Sequence, residues 1–350
     1  MNVLNYIGSK NTLFNTLLFV CNENITDMKN KTFMDLFAGT GVVGFNMMEH
    51  FKNCSANDLE QYSFIINSAL LKCNFTQNLA LIIDKCNNLD IVEGLIFLNY
   101  SPSIHSNRMF FTNENAKIAD AIRLYIQQLF QENIITQNEF NFLLASLIVS
   151  IDKVANTSCV YGAYLKQYKK TSLKKLILKP IHTKINITEN NKVYLGLAEQ
   201  FANIDSDYYD VIYLDPPYNQ RQYSGNYSPL NYIALYDSTI VLEGKTALIK
   251  NYNKSNFCKK TQVKNTFIQL INGLKCNYLI LSYNNEGLLS IDELKEILIQ
   301  KGMVKLYKIQ YAKFKAQSKI DTKFVEEYLW VVDTTKSNSN LEIIHINLIK

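Results

Sequence analysis

The stretch KTFMDLF (31–37) is a short apolar run that ends at glycines, the pattern of a buried strand, and GVVGFNMMEHF (41–51) follows it as a helix. NCSANDLE (53–60) offers a second, weaker strand, so the opening reads strand–turn–helix–strand, the start of a doubly wound sheet. NKVYLGLA (191–198), YYDVIYL (208–214) and CNYLILSYNN (276–285) read as three further strands. SIDELKEILIQKG (290–302) reads as a helix in which Ser290 and Glu293 form a capping box and Gly302 suits the C-terminal stop. Two alternating runs, MVKLYKIQYAKF (303–314) and KFVEEYLWVVDTT (323–335), predict an antiparallel hairpin that closes the sheet.

Between these halves the period changes. NAKIADAIRLYIQQLFQEN (115–133) puts Ile118, Ile122, Tyr125, Ile126 and Leu129 on one helical face, and QNEFNFLLASLIVSIDKVANT (137–157) continues as a largely buried helix. Residues 76–190 therefore read as a mostly helical insertion, with 1–75 and 191–350 forming the sheet domain.

Composition narrows the class without deciding it. The chain is 47% hydrophobic and 19% charged, an ordinary globular balance. Its 7 cysteines contain no CxxC pair, and its 4 histidines do not cluster with them, so we expect reduced thiols and no metal site. The first residues lack the apolar core of a signal peptide, and FNFLLASLIVSI (140–151) is too short to span a bilayer, which predicts a cytoplasmic protein without a membrane partner. The net charge of +5 is unevenly spread: LKQYKKTSLKKLILK (165–179) and KNYNKSNFCKKTQVK (250–264) concentrate lysine. Such runs suit phosphate contacts, although a charge run alone fits a solvated face as well.

Two motifs carry chemistry. GTGVVG (39–44) follows the first strand and opens a helix, and Asp58 lies 19 residues beyond Gly39 (58 − 39), where an acid would hold a ribose hydroxyl. The loop implies an adenosine cofactor; NAD and S-adenosylmethionine satisfy it equally. DPPY (215–218) ends an apolar strand, the place where open α/β sheets bind ligands. Pro216 and Pro217 stiffen the segment. The Asp215 carboxylate and the Pro216 carbonyl form an acceptor pair for the two hydrogens of an exocyclic amine, and Tyr218 offers a face on which a flipped base can stack.

The ordered set YIGSK (6–10), DLFAGTG (35–41), NDLE (57–60) and DPPY (215–218) resembles the N6-adenine-specific DNA methyltransferases of the Dam-like, alpha-type arrangement. RMFFTNENAKIADAIR (108–123), DKVANTSCVYGAYLK (152–166), DPPYNQRQY (215–223) and LSYNNEG (281–287) narrow the likeness to the subgroup of FokI-type modification enzymes. The resemblance implies a Rossmann-like, S-adenosylmethionine-dependent methyltransferase sheet with the insertion at 76–190 as target-recognition region. It implies a site-specific methyl transfer to a flipped adenine in double-stranded DNA, and a cognate restriction endonuclease as a candidate partner.

By the same resemblance Tyr6, Gly8 and Lys10 belong to an N-terminal cofactor motif, with Lys10 near the cofactor or the target base. Asp35, Phe37, Gly39, Gly41 and Asp58 line the S-adenosylmethionine pocket, and Asp215, Pro216 and Tyr218 hold the adenine. Arg221 and Tyr223 line a DNA-facing loop, with Lys169, Lys170 and Lys174 as phosphate contacts. One position departs from the pattern: Leu197 stands where relatives carry an acid, with Glu199 as the nearest substitute. RNA-base methylation, cytosine N4 methylation, an NAD-dependent dehydrogenase and a non-catalytic DNA-binding relative remain open alternatives at this point.

Overall fold

The computed structural model describes residue 4 and residues 10–201, 208–312, 324–337 and 341–349. Tyr6 and Gly8 lie outside the described residues. In chain order the strands are β1 (Thr32–Asp35), β2 (Asn53–Asp58), β3 (Pro102–Ser103), β4 (Ser106–Asn107), β5 (Val193–Leu195), β6 (Tyr209–Leu214), β7 (Leu242–Glu243), β8 (Leu248–Ile249), β9 (Cys276–Asn284), β10 (Met303–Ala312), β11 (Phe324–Asp333) and β12 (Leu341–Asn347). The helices of the first half are α1 (Phe14–Asn24), α2 (Val42–Met47), α3 (Gln61–Lys72), α4 (Gln77–Cys86), α5 (Leu95–Tyr100), α6 (Asn113–Gln131) and α7 (Gln137–Lys153). Those of the second half are α8 (Ala198–Phe201), α9 (Tyr223–Asn226), α10 (Ser228–Leu235), α11 (Val263–Gly273) and α12 (Ile291–Leu298).

Among the described residues, eight strands form one sheet in the order β12-β10-β11-β9-β6-β1-β2-β5. The five strands from β9 to β5 run parallel, while β11 is antiparallel to both β9 and β10. The doubly wound expectation is borne out. Side-chain alternation sorts each strand onto two covered faces. Met34, Ile212, Leu214, Leu279, Leu281 and Trp330 pack with α11 and α12 on one face. Phe33, Val211, Tyr213, Ile280, Leu329 and Val331 pack with α1, α3 and α7 on the other. The same parity carries Asp35, Asp215, Ser282 and Glu327 onto this second face, where β1, β6 and β9 end and β11 begins.

Two features differ from the sequence reading. The hairpin does not close the sheet, because β12 adds a strand parallel to β10 at the edge. Its residues are half-buried or exposed throughout, so the hydrophobic alternation that marks a strand is weak there. Helix α12 has the expected Ser290–Glu293 capping box but ends at Leu298, short of Gly302. Gly302 has no positive φ; a Cβ there would come within 2.3 Å of the Asp333 carbonyl oxygen, so glycine serves a close approach of β10 to the end of β11.

The segment from 76 to 190 divides at Lys153. Helices α4 to α7 occupy its first part, and α7 packs along α3 in the hydrophobic cluster shared with the sheet. Residues 154–190 contain neither helix nor strand. Side-chain amides supply backbone partners instead: the buried Asn115 accepts from the Leu176 amide at 2.7 Å and donates to the Lys174 carbonyl at 2.9 Å. Asn87 does the same for Leu178, at 2.8 and 3.0 Å. Near its start, Tyr161 donates its amide to the Asn226 carbonyl of α9 at 2.8 Å, which ties this irregular part to the segment that follows DPPY.

Candidate active site

The carboxyl ends of β1, β2, β5 and β6 surround a cleft that is open to solvent. It is lined by Lys10, Asp35, Phe37, Gly39, Asp58, Asp215, Pro216, Tyr218 and Tyr223 among others, so the motifs at 35–41, 58 and 215–218 meet at one place. Gly41 is absent from the lining and acts behind it. It caps α2 at φ 74°, and a Cβ there would meet Leu70 and Asn67 at 2.7 and 2.8 Å. Gly39 is also left-handed, at φ 51°.

Asp58 locks the glycine loop. Its Oδ2 accepts from the Gly39 amide at 2.7 Å and its Oδ1 from the Glu60 amide at 2.9 Å. Burial pushes the Asp58 carboxyl up, against the pull of those amides. Asp35 is buried at the end of β1, and its Oδ1 has no hydrogen-bond partner among the described residues. Burial, with Asp215 and Asp58 close by, holds its carboxyl well above the usual range. Tyr213, the residue paired with Asp35 on the adjacent strand β6, is buried as well.

Asp215 stands beside Lys10, with 3.1 Å between Oδ1 and Nζ. Burial raises Asp215 to about 6; Lys10 pulls it down and Glu327 pushes it up. Burial also opposes the charge on Lys10, yet the Asp215 and Glu327 carboxylates hold its ammonium well above the ordinary value. Tyr218 packs edge-on against Tyr283, with ring centres 6.4 Å apart, and its carbonyl accepts from the Leu288 amide at 2.9 Å. Tyr223 lines the cleft and stacks on Tyr227 at 6.2 Å, whereas Arg221 is exposed and outside the lining. The segment 222–224 is zipped to a second wall: the Gln222 amide exchanges hydrogen bonds of 3.1 and 2.8 Å with the Ser255 backbone.

Lys170 and Lys174 are exposed, while Lys169 is half-buried and donates to the Thr157 carbonyl at 2.6 Å. Leu197 and Glu199 both line the cleft beyond β5, and Glu199 accepts from Asn256 at 3.4 Å. The sequence reading missed Glu60 and Glu327. Glu60 is a largely buried residue of the cleft lining, accepting from Ser224 and, at 2.6 Å, from Asn231, and burial raises it to about 7. Glu327 shares its parity with Leu329 and Val331, so an acid on the inward face of an apolar strand was the available signal.

The sequence profile of the D12 class N6 adenine-specific DNA methyltransferase family matches residues 6–297, most of the chain. The chain belongs to this family. It is 39% identical over 346 residues to the type II methyltransferase M.NlaIII of Neisseria lactamica, covering 98% of both chains. It is 38% identical over 336 residues to the type II methyltransferase M.CviAII of Paramecium bursaria Chlorella virus 1, covering 95% of this chain and 99% of that one. The type II methyltransferase M.FokI of Planomicrobium okeanokoites is 35% identical over 367 residues, covering 97% of this chain and 55% of that protein. This D12 class enzyme is an adenine-specific DNA methyltransferase that uses S-adenosylmethionine. The cleft suits that cofactor: two left-handed glycines open the backbone, Asp58 supplies a carboxylate at the loop, and the unpartnered Asp35 Oδ1 is an acceptor of the kind an ammonium needs. The expected class, enzyme and cofactor are therefore all borne out, and the dehydrogenase alternative falls.

Proposed function

We propose that the enzyme is a cytoplasmic modification methyltransferase of a restriction system, paired with a cognate endonuclease. Its substrate is one short sequence in double-stranded DNA, and its target is an adenine flipped out of the duplex. Type II methyltransferases among the relatives support this reading. The observation that carries the site assignment is Asp215, a half-buried carboxylate at the stiff Pro216–Pro217 corner, opening into the cleft that also holds the glycine loop.

In this reading Asp35, Phe37, Gly39 and Asp58 hold the cofactor, with Gly41 shaping the loop from behind and Tyr6 and Gly8 completing the N-terminal motif. The bound cofactor supplies an electrophilic methyl on a sulfonium. The Asp215 carboxylate and the Pro216 carbonyl accept the two N6 hydrogens, which turns the nitrogen lone pair out of the ring and toward the methyl carbon. Tyr218 stacks on the ring and offsets part of the cost of unstacking. The methylated nitrogen would carry an extra proton far more acidic than that of the Asp215 carboxyl, which would accept it.

The lysines at 170 and 174, with Arg221, contact phosphates, and Tyr223 lines the wall on which the flipped base enters. Lys169 steadies that segment from beneath through Thr157. The region 76–190 reads the target sequence, chiefly through its irregular half, whose start is tied to α9. A labelled-methyl assay on duplex DNA and on RNA of the same sequence tests the substrate: label in the duplex alone is expected, and label in RNA alone overturns the reading.

A further inference from the structure

Lys10 is shared by two acids. Its Nζ lies 2.6 Å from Glu327 Oε1 and 3.1 Å from Asp215 Oδ1. Glu327 is in turn fixed by the Ser282 hydroxyl, which donates to the same Oε1 at 3.0 Å. All of these side chains lie on one sheet face, and Lys10 and Glu327 are nearly inaccessible to solvent. Two carboxylates against one ammonium leave a net negative charge, and taking a third charge out of water costs more than burying one pair. Packing offers no reason for that cost, since the next positions of β11 on this face are Leu329 and Val331. A lysine facing Asp215 alone would neutralise it and compete for its lone pairs. With Glu327 holding the ammonium at the shorter distance, Asp215 keeps basicity to offer an incoming amine.

We infer that Glu327 is a positioning residue for methyl transfer: it draws Lys10 toward β11 and so leaves the Asp215 carboxylate oriented and only partly neutralised, as acceptor for the target N6 amine. This rests on the reading that Asp215 receives that amine. Glu327 itself does not line the cleft. Among the described residues, the other charged or titratable groups around Asp215 are Asp35 on β1, Tyr213 on β6, and Tyr218 and Tyr223 beyond it. They are unchanged in the variants below.

The test is the pH profile of kcat, from about pH 5 to about pH 9, for wild type and Glu327→Gln at saturating S-adenosylmethionine and duplex substrate. Removing the Glu327 charge leaves Lys10 wholly to Asp215. The acid limb should then move down by about one unit and kcat near neutrality should fall about tenfold, with S-adenosylmethionine affinity within about twofold of wild type. Glu327→Asp, which keeps the charge, should return most of the limb. An acid limb that stays in place, whatever happens to KM or melting temperature, overturns the inference and leaves Glu327 a structural residue. If Glu327→Gln fails to fold, Ser282→Ala decides, because it frees the Glu327 carboxylate without removing it. A downward shift of the same limb supports the inference and an unmoved limb overturns it. Asp215→Asn separates the two levels. If that variant stays active, the reading of Asp215 is wrong; if it is inactive while the limb of Glu327→Gln is unmoved, only the role of Glu327 is wrong.

Discussion

Asp58 and Gly39 are bound to each other across the carboxyl ends of adjacent strands, the carboxylate accepting the glycine amide at 2.7 Å. The acid proposed to hold a ribose thus also sets the shape of the glycine loop. Loss of Asp58 should therefore act on the loop as well as on the ligand. Asp58→Ala should weaken S-adenosylmethionine binding by about tenfold or more, and Asp58→Asn, which keeps one acceptor for the amide, by less. Isothermal titration with S-adenosylmethionine measures both; equal losses in the two variants would contradict a loop role.

Gly41 is the position of the loop least able to accept a side chain. It combines φ 74° with side-chain neighbours under 3 Å from any Cβ. Gly41→Ala should cost about 1–3 kcal/mol of stability and displace Asn67, whose amide donates to the Gly39 carbonyl at 3.3 Å. A thermal melt alongside the titration checks this: an unchanged melting temperature would show that the loop relaxes freely.

Glu60 should make stability depend on pH. Its folded-state carboxyl, raised to about 7 by burial against the help of Ser224 and Asn231, binds a proton more tightly than the ordinary group at 4.5. The folded state is therefore favoured by this group below about 4.5, and that contribution is lost as pH rises through about 7. Glu60→Gln cannot titrate, so its melting temperature should gain on wild type between about pH 5 and about pH 8. A gap between the two proteins that does not change with pH would contradict the assignment.

The exposed lysines should act on DNA and not on chemistry. Lys170→Ala with Lys174→Ala should raise KM for duplex DNA and reduce the slope of log affinity against log salt by about two, leaving kcat unchanged. The salt dependence of filter or anisotropy binding reads this directly. An unaltered slope would return both side chains to the role of a solvated surface.

The parts of the enzyme that were legible in the sequence are those where local chemistry and hydrophobic period agree. Strands β1 and β6 are apolar runs that stop at Asp35 and Asp215, so the site could be placed at their ends before any geometry was known. What stayed hidden depends on contacts far apart in the chain. Lys10 and Glu327 are separated by 317 residues, and only the sheet order brings them together. Glu60 reads as one more polar residue of NDLE until Ser224 and Asn231 arrive from the other half. Gly302 looked like a helix stop because glycine commonly is one; its cause is the Asp333 carbonyl, invisible from local sequence.

The central claim is that Asp215 carries methyl transfer to adenine N6. The most direct measurement is single-molecule sequencing of the genome of a host without adenine methylation, expressing either wild type or Asp215→Ala. The account predicts N6-methyladenine at one short recognition sequence with wild type. It predicts none with Asp215→Ala, although that protein still folds and binds S-adenosylmethionine. Methylated adenine persisting at the same sequence in the Asp215→Ala strain would contradict it.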